Sequence, residues 1–188
     1  MTTLVYAAGG GRPMPFHAVN IVLHALASAL AFLLLKRLTS SDAAALAGAL
    51  LFAIHPVHTE AVTWISGDGE ILAGLLLMAA WLSHASGRPA LAAAGLALAL
   101  LSKEGAAVFP ALALAGDYLA TPHAAPRWRS CAAYAGVVVA YLAVRFAVLG
   151  HVLGAGTAGS PLLNPLRTAS GFERVLTSAS VTGKAIEQ

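Results

Sequence analysis

The sequence predicts an all-α polytopic membrane protein, a transmembrane bundle of about six helices with a partial further one at its C-terminal end. Three observations carry that expectation. Of 188 residues, 59% are hydrophobic and 10% charged, whereas an ordinary soluble domain carries roughly 25% charged residues. No Asp, Glu, Lys or Arg occurs from Pro13 to Leu35, and at about 1.5 Å per helical residue that run exceeds a hydrocarbon core of roughly 30 Å. Further uncharged stretches follow at 43–59, 71–87, 89–102, 105–116 and 130–144, each set off by a short polar break. No soluble domain is left over. The opening "MTTLVYAAGGGRP" lacks the basic start and small-residue cleavage site of a secretory signal. A single cysteine, Cys131, excludes an internal disulfide and most thiolate metal sites.

The first span is the run from Pro13, closed by Lys36 and Arg37. The stretches 43–59 and 71–87 give the next two, with Arg88 behind them. Residues 89–119 read either as one long span with "SKEG" (102–105) at mid-depth or as two helices with "SKEG" as a turn. Loop charge decides for two helices: Lys36, Arg37, Arg88, Arg127 and Arg129 then share one face, which the positive-inside tendency makes cytoplasmic. The stretch 130–144 is the last full span, and "ERVLTSASVTGKAIEQ" begins another. The net charge of +3 matters only through this placement.

The opposite, extracytoplasmic face then collects residues 1–15, "HPVHTEAVTWISGDGE" (55–70), "SKEG" and the loop from about 150 to 173. Ionisable groups at a membrane-embedded surface are costly to desolvate and are site candidates by default. His17, Asn20 and His24 fall on one stripe of the first helix, most simply read as hydrogen-bonding a neighbouring helix. His55, His58 and Glu60 are metal-ligand types, but no HExxH pattern occurs and Pro56 disturbs helical spacing. Hydrogen-bonded loop histidines are therefore the favoured reading, and neither a divalent metal nor another cofactor is indicated. "GAGTAG" (154–159) follows a membrane helix with no strand before it, so it reads as a flexible loop, and no nucleic-acid partner is expected. Lys103 is read either as an ion pair with Glu104 or as a point charge for a lipid phosphate with Glu104 fixing its position. Arg145, near the outer end of its helix, is read as snorkelling to head groups or joining that site.

"PFHAVNIVLHAL", "LLFAIHPVHTEAVTWISG", "LALLSKEGAAVFPALALAGDYL", "YLAVRFAVLG" and "NPL" resemble, in order and spacing, the membrane domain of the transmembrane and tetratricopeptide-repeat-containing O-mannosyltransferases and their bacterial relatives. These look like members of the GT-C superfamily, multispanning enzymes that move a sugar from a polyprenyl-phosphate donor to an acceptor outside the cytoplasm. The resemblance covers about residues 2–183. It implies an integral protein of the bilayer, a bacterial inner membrane being expected, with a polyprenyl-phosphate sugar as donor and an extracytoplasmic protein or glycan as acceptor. It implies that the loop holding His55, His58 and Glu60, with Glu70 at the next helix entry, lines the sugar end of the donor cavity and that Lys103 meets the phosphate. Within this sequence Glu60 and Glu70 are the candidate catalytic carboxylates, and His55, His58, Lys103, Glu104 and Arg145 the candidate donor-binding residues.

Two departures accompany the resemblance. Relatives begin with a further helix and an acidic outer loop carrying the proposed base, and they continue into 34-residue helical repeats. The expectation is a single membrane-domain fragment over 1–188, inactive alone. Where relatives commonly read "SGRKDLL" or "GRADLL", this chain reads "SGDGEIL" (66–72). Glu70 takes the acidic position and Asp68 replaces a base. Other classes remain open, namely a small-solute or ion transporter using the polar stripe as a pathway, or a non-catalytic membrane scaffold.

Overall fold

The computed structural model describes residues 2–10, 12–64, 67–120 and 127–150, with positions 170, 173, 176, 177 and 180. The chain divides into two compact units, Met1–Leu142 and Ala143–Gln188. Among the described residues every regular element is helical: α1 (Thr2–Gly9), α2 (Pro13–Thr39), α3 (Asp42–Ile54), α4 (Thr59–Thr63), α5 (Asp68–Ala85), α6 (Pro89–Ser102), α7 (Phe109–Ala120) and α8 (Trp128–Leu149), with 3-10 turns at Pro56–His58 and Glu104–Val108.

Local chemistry fixes where these helices stop. Pro13 and Pro89 open α2 and α6, where a missing N–H costs nothing and the ring presets φ. The Ser41 hydroxyl caps α3 by accepting from the Ala44 amide at 3.3 Å. At the other end of α3, His55 precedes Pro56 and is driven to an extended conformation (φ −66°, ψ 129°). Gly87, at φ 72°, takes the left-handed turn that closes α5. In the second unit, the Ser170 amide donates to Glu173 Oε2 at 2.7 Å and the Glu173 amide to Ser170 Oγ at 3.3 Å. This reciprocal pair has the form of a helix cap, at the position where a further helix is expected, and its bonds hold the Glu173 carboxyl below its usual range. Residues 151–169, with "GAGTAG", and most of 171–188 lie outside the described residues.

These stops shorten the expected spans. Among the described residues, by length and composition, two helices can cross a bilayer, α2 and α8, or three if α3 and Pro56–Thr63, bent by 45°, make one broken span. The six spans expected from charge-free runs are therefore not six long helices. A run without charge continues through His55 and Pro56, whereas the helix does not. At about 1.5 Å per residue, α6, with 14 residues, reaches only about 21 Å.

Small residues let the helices of the first unit approach closely. Ala80 on α5 packs with Ala92, Leu96, Ala99 and Leu100 of α6, together with Phe109 and Ala113 of α7 and Tyr134 of α8. A Cβ on Gly95 would lie 3.1 Å from that of Ala80, so the α5/α6 contact is built to the width of glycine and alanine. The periphery is apolar as well, Ile54 being 76% and Leu101 77% exposed. Water would penalise such a surface and acyl chains would not.

Hydrogen bonds sort the first unit into two ends. His24 of α2 meets the end of α3 through its Nε2 and the Ala53 carbonyl, 3.0 Å apart. Asn20 donates to the Val62 and Trp64 carbonyls at 3.2 and 2.9 Å, just ahead of α5. Ser102, ending α6, donates to the Gly69 carbonyl at 3.0 Å. Asn20 and His24 of the α2 stripe thus hydrogen-bond neighbouring elements. At the opposite end, Arg37 reaches Ser86 and Ala85, and Arg127 reaches the His84 carbonyl. The chain therefore reverses at Lys103, and α6 and α7 are two helices.

Candidate functional site

The break after α3 creates the site. Once His55 is extended, its Nδ1 accepts from the Val57 amide at 3.1 Å, which leaves the neutral ring its proton on Nε2. The 3-10 turn then carries His58 back toward α2, with its ring 4.4 Å from Phe52 and 5.2 Å from His24, centroid to centroid. His55 stands 6.4 Å from His58. Trp64 closes α4 with its amide on the Glu60 carbonyl at 3.0 Å. Gly67 lets the chain turn into α5, since a Cβ there would overlap the Ala61 carbonyl oxygen.

A cavity of about 280 Å³ lies between these elements, lined among others by His24, Phe52, His58, Glu70, Ile71 and Met78. At its edge the Glu70 carboxylate forms an ion pair with the Lys103 ammonium. The two side chains keep 58% and 46% of their surface exposed, so both can exchange partners with an incoming ligand. Lys103 is extended (φ −152°, ψ 131°) as the residue that ends α6, and Ser102 beside it fixes that end on α5. A carboxylate that meets Lys103 is thus Glu70, 33 residues away in sequence.

The candidate residues divide accordingly. His58 and Glu70 line the cavity, and Lys103 joins them through Glu70. His55 and Glu60 are exposed on the turn and on α4 outside the cavity wall. Glu104 starts the 3-10 turn after Lys103. Arg145 sits in the second unit, half-buried in the last turns of α8. Among the described residues no three His, Cys, Asp or Glu side chains gather as a metal site would require.

At the opposite end lies a network that the sequence reading passed over. His84 is 2% exposed, with Nδ1 2.9 Å from the Tyr134 hydroxyl and Nε2 3.1 Å from Asp117 Oδ1. An ionised carboxylate only accepts, so Nε2 carries the proton toward Asp117, and in the neutral ring the Tyr134 hydroxyl donates to Nδ1. The signal was a histidine inside an otherwise uncharged apolar run.

The sequence profile described as "dolichyl-phosphate-mannose-protein mannosyltransferase" matches residues 1–151. The chain belongs to that family. Within the dolichyl-phosphate-mannose-protein mannosyltransferases it is similar to protein O-mannosyl-transferase Tmtc1 of Drosophila melanogaster, 41% identical over 43% of this chain and 9% of the relative. It is also similar to protein O-mannosyl-transferase TMTC3 of Mus musculus, 44% identical over 39% of this chain and 8% of the relative. With TMTC1 of Homo sapiens the identity is 46% over 40% of this chain and 9% of the relative. The chain thus spans about a tenth of the length of these curated relatives. No solved structure matches it. Family membership and the apolar helices together make it an integral membrane protein, while the relatives named are animal proteins, which gives the bacterial inner membrane no support.

Proposed function

We propose that this chain supplies the donor-binding side of a membrane glycosyltransferase that moves a sugar, mannose by the relatives' names, from a polyprenyl phosphate to a hydroxyl of a protein on the extracytoplasmic side. The observation that carries the reading is the Glu70–Lys103 pair at the edge of a cavity walled by His58 and His24. Transfer forms a bond between the acceptor oxygen and the anomeric carbon while the bond from that carbon to the phosphate oxygen breaks. The electron pair leaves on the phosphate, and the acceptor proton goes to a carboxylate. A cation at the departing phosphate and a base at the hydroxyl are the groups this reaction needs.

Lys103 takes the first role. Its ammonium is held by a half-exposed carboxylate, and the donor's phosphodiester, which gains a second negative charge as the sugar departs, competes for it most strongly in the transition state. Glu70 takes the second role. Once the donor phosphate engages Lys103, the Glu70 carboxylate is released from the ion pair and its oxygens are free to accept the acceptor's proton. Donor binding would in this way prepare the base. His58 offers the sugar hydroxyls a ring nitrogen inside the cavity, and Glu60 is the alternative carboxylate, approached from the open side.

The test is steady-state transfer with a polyprenyl-phosphate mannose and a serine/threonine peptide, using membranes that hold the protein in its full natural length. Lys103→Ala should raise the donor KM about 10- to 100-fold, as expected for one charge-assisted contact of about 1.5–3 kcal/mol, and leave the acceptor KM nearly unchanged. Glu70→Gln should lower kcat more than Glu60→Gln. Unchanged donor dependence at normal protein levels would return Lys103 to an interfacial ion pair.

A further inference from the structure

The geometry points to a second lipid site, at the end of the first unit opposite the Glu70–Lys103 pair, that takes the head-group phosphate and one acyl chain of an anionic phospholipid. A cavity of about 320 Å³ there is lined by Arg37, His84, Asp117 and Arg127 on its polar side and by Leu34 and Trp81 among its apolar walls. Arg37 donates to Ser86 Oγ at 3.1 Å and to the Ala85 carbonyl at 2.6 Å. Arg127 donates to the His84 carbonyl. Those partners orient the guanidinium groups and carry no net charge, so both positive charges remain effective. One carboxylate shares the wall, Asp117, which is bonded to His84 and, at 2.9 Å, to the Arg127 amide. Two guanidinium groups against one carboxylate leave the cavity a net positive charge, and planar guanidinium forks suit phosphate oxygens.

The apolar half of the ligand is specified separately. A groove of about 360 Å³, lined by Leu77, Met78, Phe109 and Leu112, shares Trp81 and Gly116 with the basic cavity. Gly116 makes the junction, because a Cβ there would fall 2.5 Å from Trp81 Nε1. A basic pocket opening into an apolar groove beside membrane-length helices has the polarity order of a lipid, head group then chain. A free anion would use only the first part. By the positive-inside tendency this end faces the cytoplasmic leaflet, where anionic lipids concentrate. None of this depends on which sugar, if any, is transferred at the other end.

Trp81 provides the readout. The chain with Trp64→Phe and Trp128→Phe, purified in an uncharged detergent, is titrated with chain-brominated phosphatidylglycerol or with phosphatidylcholine of the same chains, bromine quenching the remaining indole on contact. Quenching should half-saturate at about tenfold lower mole fraction of the anionic lipid, and Arg37→Gln with Arg127→Gln should erase that difference. The comparison between lipids uses intact arginines, so it holds even where the double variant fails to fold. Equal quenching by both lipids would overturn the site. Displacement of the brominated lipid by millimolar inorganic phosphate would make it a free-anion pocket and overturn the lipid assignment. Displacement by polyprenyl phosphate at lower concentration than by unlabelled phosphatidylglycerol would assign the groove to the donor and overturn it as well.

Discussion

Glu70 in the first turn of α5 and Lys103 at the end of α6 form an ion pair that joins two antiparallel helices at the edge of the polar cavity. Both side chains are about half exposed. Such a pair is worth roughly 0.2–1 kcal/mol, because solvent screens the attraction and holding two long side chains costs entropy. A double-mutant cycle of Glu70→Gln and Lys103→Met, read by thermal unfolding in detergent, should give a coupling below about 1 kcal/mol. A much larger coupling would make the pair a structural lock and remove the reason to assign it to donor binding.

Asn20 should matter more for stability than either partner of that ion pair. Its side chain is fully buried, and its amide holds the Val62 and Trp64 carbonyls. Asn20→Ala strands both acceptors where water does not easily reach, at about 1–3 kcal/mol for each group left unsatisfied. Lower unfolding temperature together with faster amide exchange around residues 62–67 is the expected result. Loss of stability with no change in local exchange would mean that Asn20 supports α2 packing and not the loop.

Part of this architecture was legible in the sequence, and the reasons differ by residue. The helices at α2 and α8 follow from charge-free runs, and the reversal at Lys103 follows from placing Arg37, Arg88 and Arg127 on one face. The Asn20–His24 stripe is a period that any helix would display. The partner of Lys103 was not legible. Adjacency in sequence favours Glu104, whereas the antiparallel register of α5 and α6 brings Glu70 to it from 33 residues away. Asp117 and Tyr134 lie 33 and 50 residues from His84, so that although a histidine in an apolar run stands out, nothing in its own segment names its partners. The number of full-length spans was overcounted because absence of charge does not stop at a helix end, and Pro56 does.

Gly67 and Gly69 make an internal control for how tightly the loop before α5 is built. A Cβ on Gly67 would overlap the Ala61 carbonyl oxygen, while one on Gly69 would meet the Ser102 carbonyl oxygen at an ordinary 3.4 Å. Gly67→Ala should therefore lower the unfolding temperature and shift the loop that carries Glu60. Gly69→Ala, inside the first turn of α5, should be neutral or stabilising by up to about 1 kcal/mol, since alanine costs less helix entropy. Equal effects at both positions would contradict the close approach of residues 61 and 67.

The two ends of the first unit should lie on opposite faces of the bilayer. Arg37 bonds Ser86 and Ala85, and Arg127 bonds the His84 carbonyl, so the C-terminal ends of α2 and α5 and the start of α8 share one level. Glu70 and Lys103 mark the other. In a background with the buried Cys131 replaced by alanine, single cysteines at Ser40, Ser86 and Arg129 should react with an impermeant maleimide from one side only, and cysteines at Thr59 and Gly105 from the other. All five positions are exposed in the fold, so accessibility reports sidedness and not burial. The bases at 36, 37, 88, 127 and 129 favour the cytoplasm for the first group. Labelling of Ser86 and Arg129 from opposite sides would require α6 and α7 to act as one span with Lys103 inside the membrane. The ammonium would then lack access to a phosphate at the surface, and its proposed role at the donor would fall with it.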